Sequence, residues 1–450
     1  MEQSQNKLGT MPIGRLLAVM SVPMMVSMFI QALYNVVDSM FVAKISEEAL
    51  AAVSLAYPMQ NIITAIGVGT GVGITALVPA SLGRGDQEMA ERAANVQNFL
   101  SLCYSVVFVF TGLIFTDVYY TMQTKDQAII SAGVSYLRII CLVSVGAFFG
   151  QGLEKLLVAT GNSALSMISQ ATGAVMNIIL DPLLIFGVGP FPEMGVAGAA
   201  AATVIGQIAA AILALIFNIR KNTALRFSLQ KMLPRAKILE NIFAVGLPSM
   251  ITVGLSSAMS YCINQIFLAV GTTATAAFGI WLKLQNFGYM PVYGLNNGSI
   301  AILSYNYGAG RLDRVHATLK LALRIGVAVS VAVMLLYMLC ARPLLGMFNA
   351  SENMYSIGMT AIRICSISIP FGACTLVLSS SFQSLGRSRN TLFVNVCRQL
   401  VVLVPIAWLL SLSGDIRLIW SAFPIAEAAT MVIAMALSHR LMKRLNQEQQ

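Results

Sequence analysis

Two aspartates stand inside apolar runs of this sequence, Asp38 in YNVVDSMFVA and Asp181 in NIILDPLLIFG. Asn177 precedes Asp181 by one helical turn, so on a helix both side chains project from one face. Tyr34 and Asn35 stand in the same relation to Asp38. Pro182 lacks an N–H and so frees the carbonyl of Ile178 from its helical bond, adding a backbone oxygen beside the acid. Thr203, early in the next apolar run, brings a hydroxyl to a similar level. Two carboxylates, an amide oxygen, a hydroxyl and a freed carbonyl form a hard oxygen cage. Such a cage suits Na⁺, or it holds two acids close enough that their repulsion favours binding H⁺.

The elements that carry these residues are set by the solvent around them. The chain has 450 residues, 57% hydrophobic and 10% charged, with a mean hydropathy of +0.77, whereas soluble domains carry roughly 25% charged residues. The expected fold is therefore all-α and polytopic. Runs long enough to cross about 30 Å of hydrocarbon fall at 15–43, 50–80, 93–116, 131–158, 163–187, 195–219, 238–269, 275–306, 317–339, 355–383, 390–411 and 416–438, which makes twelve transmembrane helices. The start, MEQSQNKLGTMPIGR, lacks the order of a signal peptide, so the first run is expected to be a retained span.

The net charge of +10 is explained by its distribution. With the N-terminus inside, most of the 28 Lys and Arg fall on cytoplasmic segments, and Lys44, Lys125, Arg342 and Arg417 fall outside. That bias places both termini in the cytoplasm, makes the chain a multi-pass protein of the plasma membrane and removes the case for a nucleic-acid partner. The seven cysteines contain no C-x-x-C pair, and His316 and His439 sit at cytoplasmic ends. No enzyme chemistry, thiolate metal site or cofactor is expected.

At a shift of 225 residues, half of the 450, the sequence repeats. Pro23 lands on Pro248, Gly69 on Gly294, Gly73 on Gly298, Gly83 on Gly308, Gly85 on Gly310 and Gly161 on Gly386. Each half holds six spans, and because six is even the halves share one orientation. This is a parallel repeat, giving two pseudo-symmetric six-helix bundles. The expected division is an N-terminal lobe at 1–219, a basic cytoplasmic linker at 220–237 and a C-terminal lobe at 238–450. The linker can lie on the anionic inner surface.

The P-x-x near the start of each half, YNVVDSMFVA, the G-x-G after the second and eighth spans, ILDPLLIFG and GVAGAAAATVIGQ together resemble the multidrug and toxic compound extrusion (MATE) family over essentially the whole chain. The similarity is to the bacterial and archaeal branch that keeps its intramembrane acids in the N-terminal half. It implies a V-shaped pair of bundles that exports cationic or amphipathic compounds in exchange for H⁺ or Na⁺. It also implies a cation site on Asp38, Asn177, Asp181 and Thr203. Val158 departs from the family, many of whose members carry arginine there.

The repeat supplies a control, since Ile263 stands opposite Asp38 and Ile406 opposite Asp181. Ion coupling is therefore expected in the N-terminal lobe alone. Glu427, deep in the twelfth span, has two open readings: a substrate or coupling group, or a structural pair. Lys283, inside the eighth span, divides in the same way. Glu154 and Lys155 are expected to pair locally or snorkel. Trp281, Tyr57, Gln60 and Met28, with other methionines and aromatics, suit a promiscuous pocket for planar cations, although each singly reads as packing. A lipid-linked sugar flippase is the alternative. Its pyrophosphate would need several bases at membrane depth, and Lys283, Arg138 and Arg363 are the candidates. A monomer is expected.

Overall fold

The computed structural model describes residues 7–348 and 352–448, and among them the chain folds as helices with no strand. We label the spanning elements α1 (Ile13–Ala43), α2 (Glu47–Gly83), α3 (Gln87–Ile114), α4a and α4b (Gln127–Leu142 and Val145–Ala159), α5 (Ser163–Ile185) and α6 (Val196–Arg220). The second half contributes α7 (Ala236–Val270), α8 (Thr272–Gly308), α9 (Leu312–Leu339), α10a and α10b (Glu352–Ser366 and Ser368–Ser384), α11 (Ser388–Ser411) and α12 (Ile416–Glu448).

Nine of these are long and apolar enough to cross a membrane singly. The pairs α4a–α4b and α10a–α10b are bent by 47° and 40° and reach that length only together. The 37-residue α8 has the length but carries Lys283, Gln285, Asn286, Asn296 and Asn297. The set matches the twelve expected spans.

Helix ends follow from local chemistry. Ser46, Asp86 and Asp126 cap α2, α3 and α4a, each side chain accepting a backbone N–H of the first turn. The repeated glycines Gly85 and Gly310 stop α2 and α8 at φ of 77° and 71°, and Gly161 and Gly386 stop α4b and α10b at 86° and 69°. These are left-handed positions where a side chain would be strained.

The chain forms two compact units, one of residues 26–250 and the other of residues 1–25 with 251–450. The division therefore falls inside α1 and α7, two residues beyond Pro23 and Pro248 respectively. The other repeated glycines account for it. In the unit 26–250, Gly69 and Gly73 of α2 face the first half of α7: a Cβ on Gly69 would stand 2.9 Å from the Gly246 carbonyl oxygen, and one on Gly73 would meet the Ile242 backbone. In the other unit, Gly294 and Gly298 of α8 face the first half of α1, with a Cβ 2.6 Å from Met25 N and 3.0 Å from Ser21 N respectively.

Within the unit 26–250, α5 packs along α6, and α4b lies against both α2 and α6. In the second unit, α10b packs against α8, α9 and α12. Its core stacks Phe267 on Trp420 at 4.1 Å and on Phe278 at 5.2 Å between ring centroids. The linker is fixed to α3 rather than merely tethered: Gln87 donates to the Ala224 carbonyl at 2.6 Å, Asn95 binds both Arg226 O and Ser228 N, and Lys231 pairs with Glu91. The N-terminal turn Lys7–Thr10 is clipped to α8 and α9 by Asn306, Arg311 and Arg314, which donate to the carbonyls of Leu8 and Gly9.

Candidate cation site

The second half of α1 is held on α5 by polar and apolar contacts that set its register. Toward the middle of the helix, Gln31 Nε2 donates to Gln170 Oε1 at 2.8 Å, and Ser27 Oγ donates to the same oxygen. At the far end Phe41 meets Phe186 edge-on at 6.3 Å, and Val42 joins a buried cluster with Ile185 and Val196. Asp38 lies between these anchors.

Asp181 is fully buried and Asn177 is 3% exposed. The helical spacing delivers the expected contact. Asn177 Nδ2 donates to Asp181 Oδ1 at 3.3 Å and to Thr203 Oγ1 on α6 at 3.3 Å. Both amide protons are thereby used on one side, and the amide oxygen faces away from them. Asn177 Oδ1, Asp181 Oδ2 and Asp38 Oδ1 are enclosed, and none has a hydrogen-bond donor. Asp38 and Asp181 act on each other through space, and the Tyr34 phenol lies within electrostatic range of both and of Glu154.

Three acceptor oxygens with no donor, two of them from carboxylates, form an arrangement that is costly unless something positive occupies it. A monovalent cation or a proton meets that need with the chemistry present. Thr203, already an acceptor for Asn177, keeps a second lone pair for a cation. Pro182 lies inside α5, directly after the buried acid.

The remaining expected residues separate by environment. Gln60 Nε2 donates to Tyr136 OH at 2.9 Å, and Tyr136 is within electrostatic range of Asp38 and Tyr34. Tyr136 therefore belongs to the electrostatic surroundings of Asp38. It was not foreseen, since SYLRII reads as an ordinary apolar run. Asn35 is exposed, with its carbonyl accepting from Ser39; Tyr57 is 62% exposed; Met28 is half-buried. Glu154 and Lys155 are half-buried neighbours on α4b, where Gly71 of α2 leaves room for the Lys155 stem.

In the second unit Trp281 is fully buried, edge-on to Phe423 at 6.4 Å. Lys283 is exposed, lies 5.8 Å from the Phe348 ring centroid and has no carboxylate within ion-pair distance among the described residues. Glu427 pairs with Arg398 at 2.7 Å. Arg398 is missing from the bases expected at membrane depth, although it lies within the expected span 390–411. Arg138 pairs with Asp117 on the short helix Thr116–Gln123.

The MatE family model matches this chain twice, over residues 23–183 and 248–409. The two matches begin at Pro23 and Pro248, the spacing of the internal repeat. Multidrug export protein MepA of Staphylococcus haemolyticus is 26% identical over 428 residues, 94% of this chain and 93% of its own length. A FAD transporter of Shewanella oneidensis is 24% identical over 442 residues, 96% of this chain and 95% of its own. An outward-facing multidrug resistance MATE family transporter of the MOP superfamily superposes with a TM-score of 0.93 at 23% identity, covering 99% of both chains. A Pyrococcus furiosus transporter of that superfamily, whose binding pocket is described as reversed in polarity, superposes at 0.92 and 23% identity over 99% of this chain and 100% of its own. These structures share the fold of this chain, twelve helices in two lobes.

Proposed function

Since the chain belongs to the MatE family of membrane transporters, we propose that it is an H⁺- or Na⁺-coupled antiporter that exports cationic or amphipathic small molecules across the plasma membrane. The observation that carries this reading is the set of donorless oxygens on Asp38, Asn177 and Asp181. Two carboxylates acting on each other inside spans are costly unless a cation or proton joins them, which a structural role alone does not supply.

Coupling follows if ion and substrate make exclusive use of this set. With the ion bound, one of the two negative charges is neutralised and the pair holds a cationic substrate less well. With the ion gone, they attract it. A ligand shifts an equilibrium between states only through its differential affinity for them, and shared carboxylates supply that difference for both fluxes. One elementary charge moving down ~100 mV supplies about 2.3 kcal/mol, and each pH unit adds about 1.4 kcal/mol for a proton. Tight one-for-one exchange would then sustain a gradient on the order of a hundredfold for a substrate without net charge; against a monovalent cation it moves no net charge, and each pH unit sustains about tenfold. The distribution of Lys and Arg supports cytoplasmic termini, so the docked linker and the N-terminal turn would face the cytoplasm.

The test is efflux of a fluorescent cationic dye from liposomes containing the purified protein, with a pH gradient and a Na⁺ gradient imposed separately. One gradient should drive efflux, and Asp181→Asn should abolish the response. Wild-type efflux indifferent to both gradients and unchanged in Asp181→Asn would contradict the reading.

A further inference from the structure

We infer that the unit formed by residues 1–25 and 251–450 contains a second binding site, built on Arg398 and Glu427, that receives the carboxylate of a planar, carboxylate-bearing substrate. The inference rests on the exporter reading above and specifies a class of compound it would carry.

Arg398 sits at the start of a π-helical stretch, Cys397–Leu403, within α11. Wide π turns are rare and occur frequently at functional sites. The Arg398 side chain is 13% exposed and that of Glu427, on α12, is 7% exposed. A buried ion pair is weak evidence for stability, because desolvating two charges offsets most of their attraction. The geometry here is also unlike that of a pair made for stability. Arg398 Nε and Nη2 both approach the single oxygen Oε1 at 2.7 Å, and Glu427 Oε2 is enclosed with no donor. A closed fork would have matched two nitrogens to two oxygens.

What this leaves on Arg398 is its outer edge. Nη1 takes no part in the contacts with Glu427, and the Arg398 side chain keeps 13% of its surface exposed. The Nη1–Nη2 edge presents two parallel N–H groups, the geometry that accepts a second carboxylate. The Tyr289 ring lies 5.8 Å from the guanidinium carbon, and Tyr293 follows at 6.1 Å between centroids, so the guanidinium has aromatic neighbours. Gly372 on α10b makes the space: a Cβ there would stand 3.1 Å from Glu427 Oε2 and would overlap the Tyr289 phenol. An arginine edge repels a permanent cation, so the ligand it selects is an anionic group on a planar body. Glu427, holding the opposite edge, orients the guanidinium and weakens its hold on that group by like-charge repulsion.

The experiment compares a free-acid rhodamine with its methyl ester, two dyes that differ in the carboxylate, by fluorescence anisotropy on the purified full-length protein. The readout is the ratio of the two affinities, acid over ester. Arg398→Gln combined with Glu427→Gln, which avoids leaving one buried charge alone, should lower this ratio by about tenfold or more, the scale of a charged hydrogen-bonded contact. Arg398→Lys should lower it less, since the charge remains and the fork is lost. Glu427→Gln alone should raise it. An unchanged ratio in the double variant, or a fall with Glu427→Gln, overturns the inference, as does binding of the ester without the acid by wild type. Those results leave the exporter reading standing. Retention of the Arg398-dependent ratio alongside a complete lack of gradient-driven efflux would sink the exporter reading instead.

Discussion

Asn177 shows most clearly what a single side chain contributes. Its amide protons are committed to Asp181 and Thr203, so its oxygen is aimed away from both. Asn177→Ala should weaken the coupling ion by about tenfold while dye still binds, because a neutral ligand oxygen contributes about 1–2 kcal/mol. Titrating the driving ion against dye efflux would show this as a shift of the half-maximal concentration. Thr203→Val should act in the same direction and less strongly, since the hydroxyl is one ligand among several. Much of this was legible in the sequence. The four-residue spacing of Asn177 and Asp181 on an apolar helix predicts the contact observed, and an acid in an apolar run demands a partner. Tyr136 and the Arg398–Glu427 pair were not legible. Hydropathy places a residue at a depth but does not say which other helix it faces, and the pair joins residues 29 apart in sequence on α11 and α12.

At the scale of elements, the repeated glycines fall into two physical kinds. Gly85, Gly161, Gly310 and Gly386 end helices with positive φ and have nothing near the missing Cβ at three of these positions, Gly85, Gly310 and Gly386. Gly310→Ala should therefore cost about 1 kcal/mol through backbone strain alone, and Gly310→Asn less. Gly73 and Gly298 instead lie against the backbones of α7 and α1. Valine at either should cost about 1–3 kcal/mol or more by overpacking, with similar losses at the two equivalent sites. Thermal unfolding of the detergent-solubilised variants separates the two classes. The sequence displayed both kinds as one pattern of coincidences, because a glycine kept for its φ and one kept for its size look alike in one chain. It also showed the spans without their breaks. Residues 143–144 and Ile367 interrupt α4 and α10 within the expected spans 131–158 and 355–383, where the single serines Ser144, Ser366 and Ser368 do not by themselves mark a bend.

For the molecule as a whole, the expected boundary between lobes lay in the linker, whereas the compact units divide within α1 and α7. Each unit thus takes a half-helix from the other half of the sequence. A chain cut between Pro234 and Arg235 keeps the linker contacts to α3 but deprives residues 26–234 of the segment that covers Gly69 and Gly73. The N-terminal fragment expressed alone should be degraded or aggregate, whereas co-expression of both fragments should restore a monodisperse complex and gradient-driven efflux. Size-exclusion chromatography and dye efflux would show it, and a stable, monodisperse N-terminal fragment would count against the packing described.

The same exchange bears on how such a chain could arise. Suppose one copy of the repeat had once been a gene of its own. Its product would have carried, at its start, a half-helix whose groove lay in another molecule, and the groove on its own second helix would have been filled by a neighbour. That ancestor would have been an obligate dimer with swapped ends. Joining the two copies end to end would have required no new packing: a tandem duplication would have turned an encounter between molecules into a fold within one chain, with Pro23 and Pro248 next to the two points of exchange.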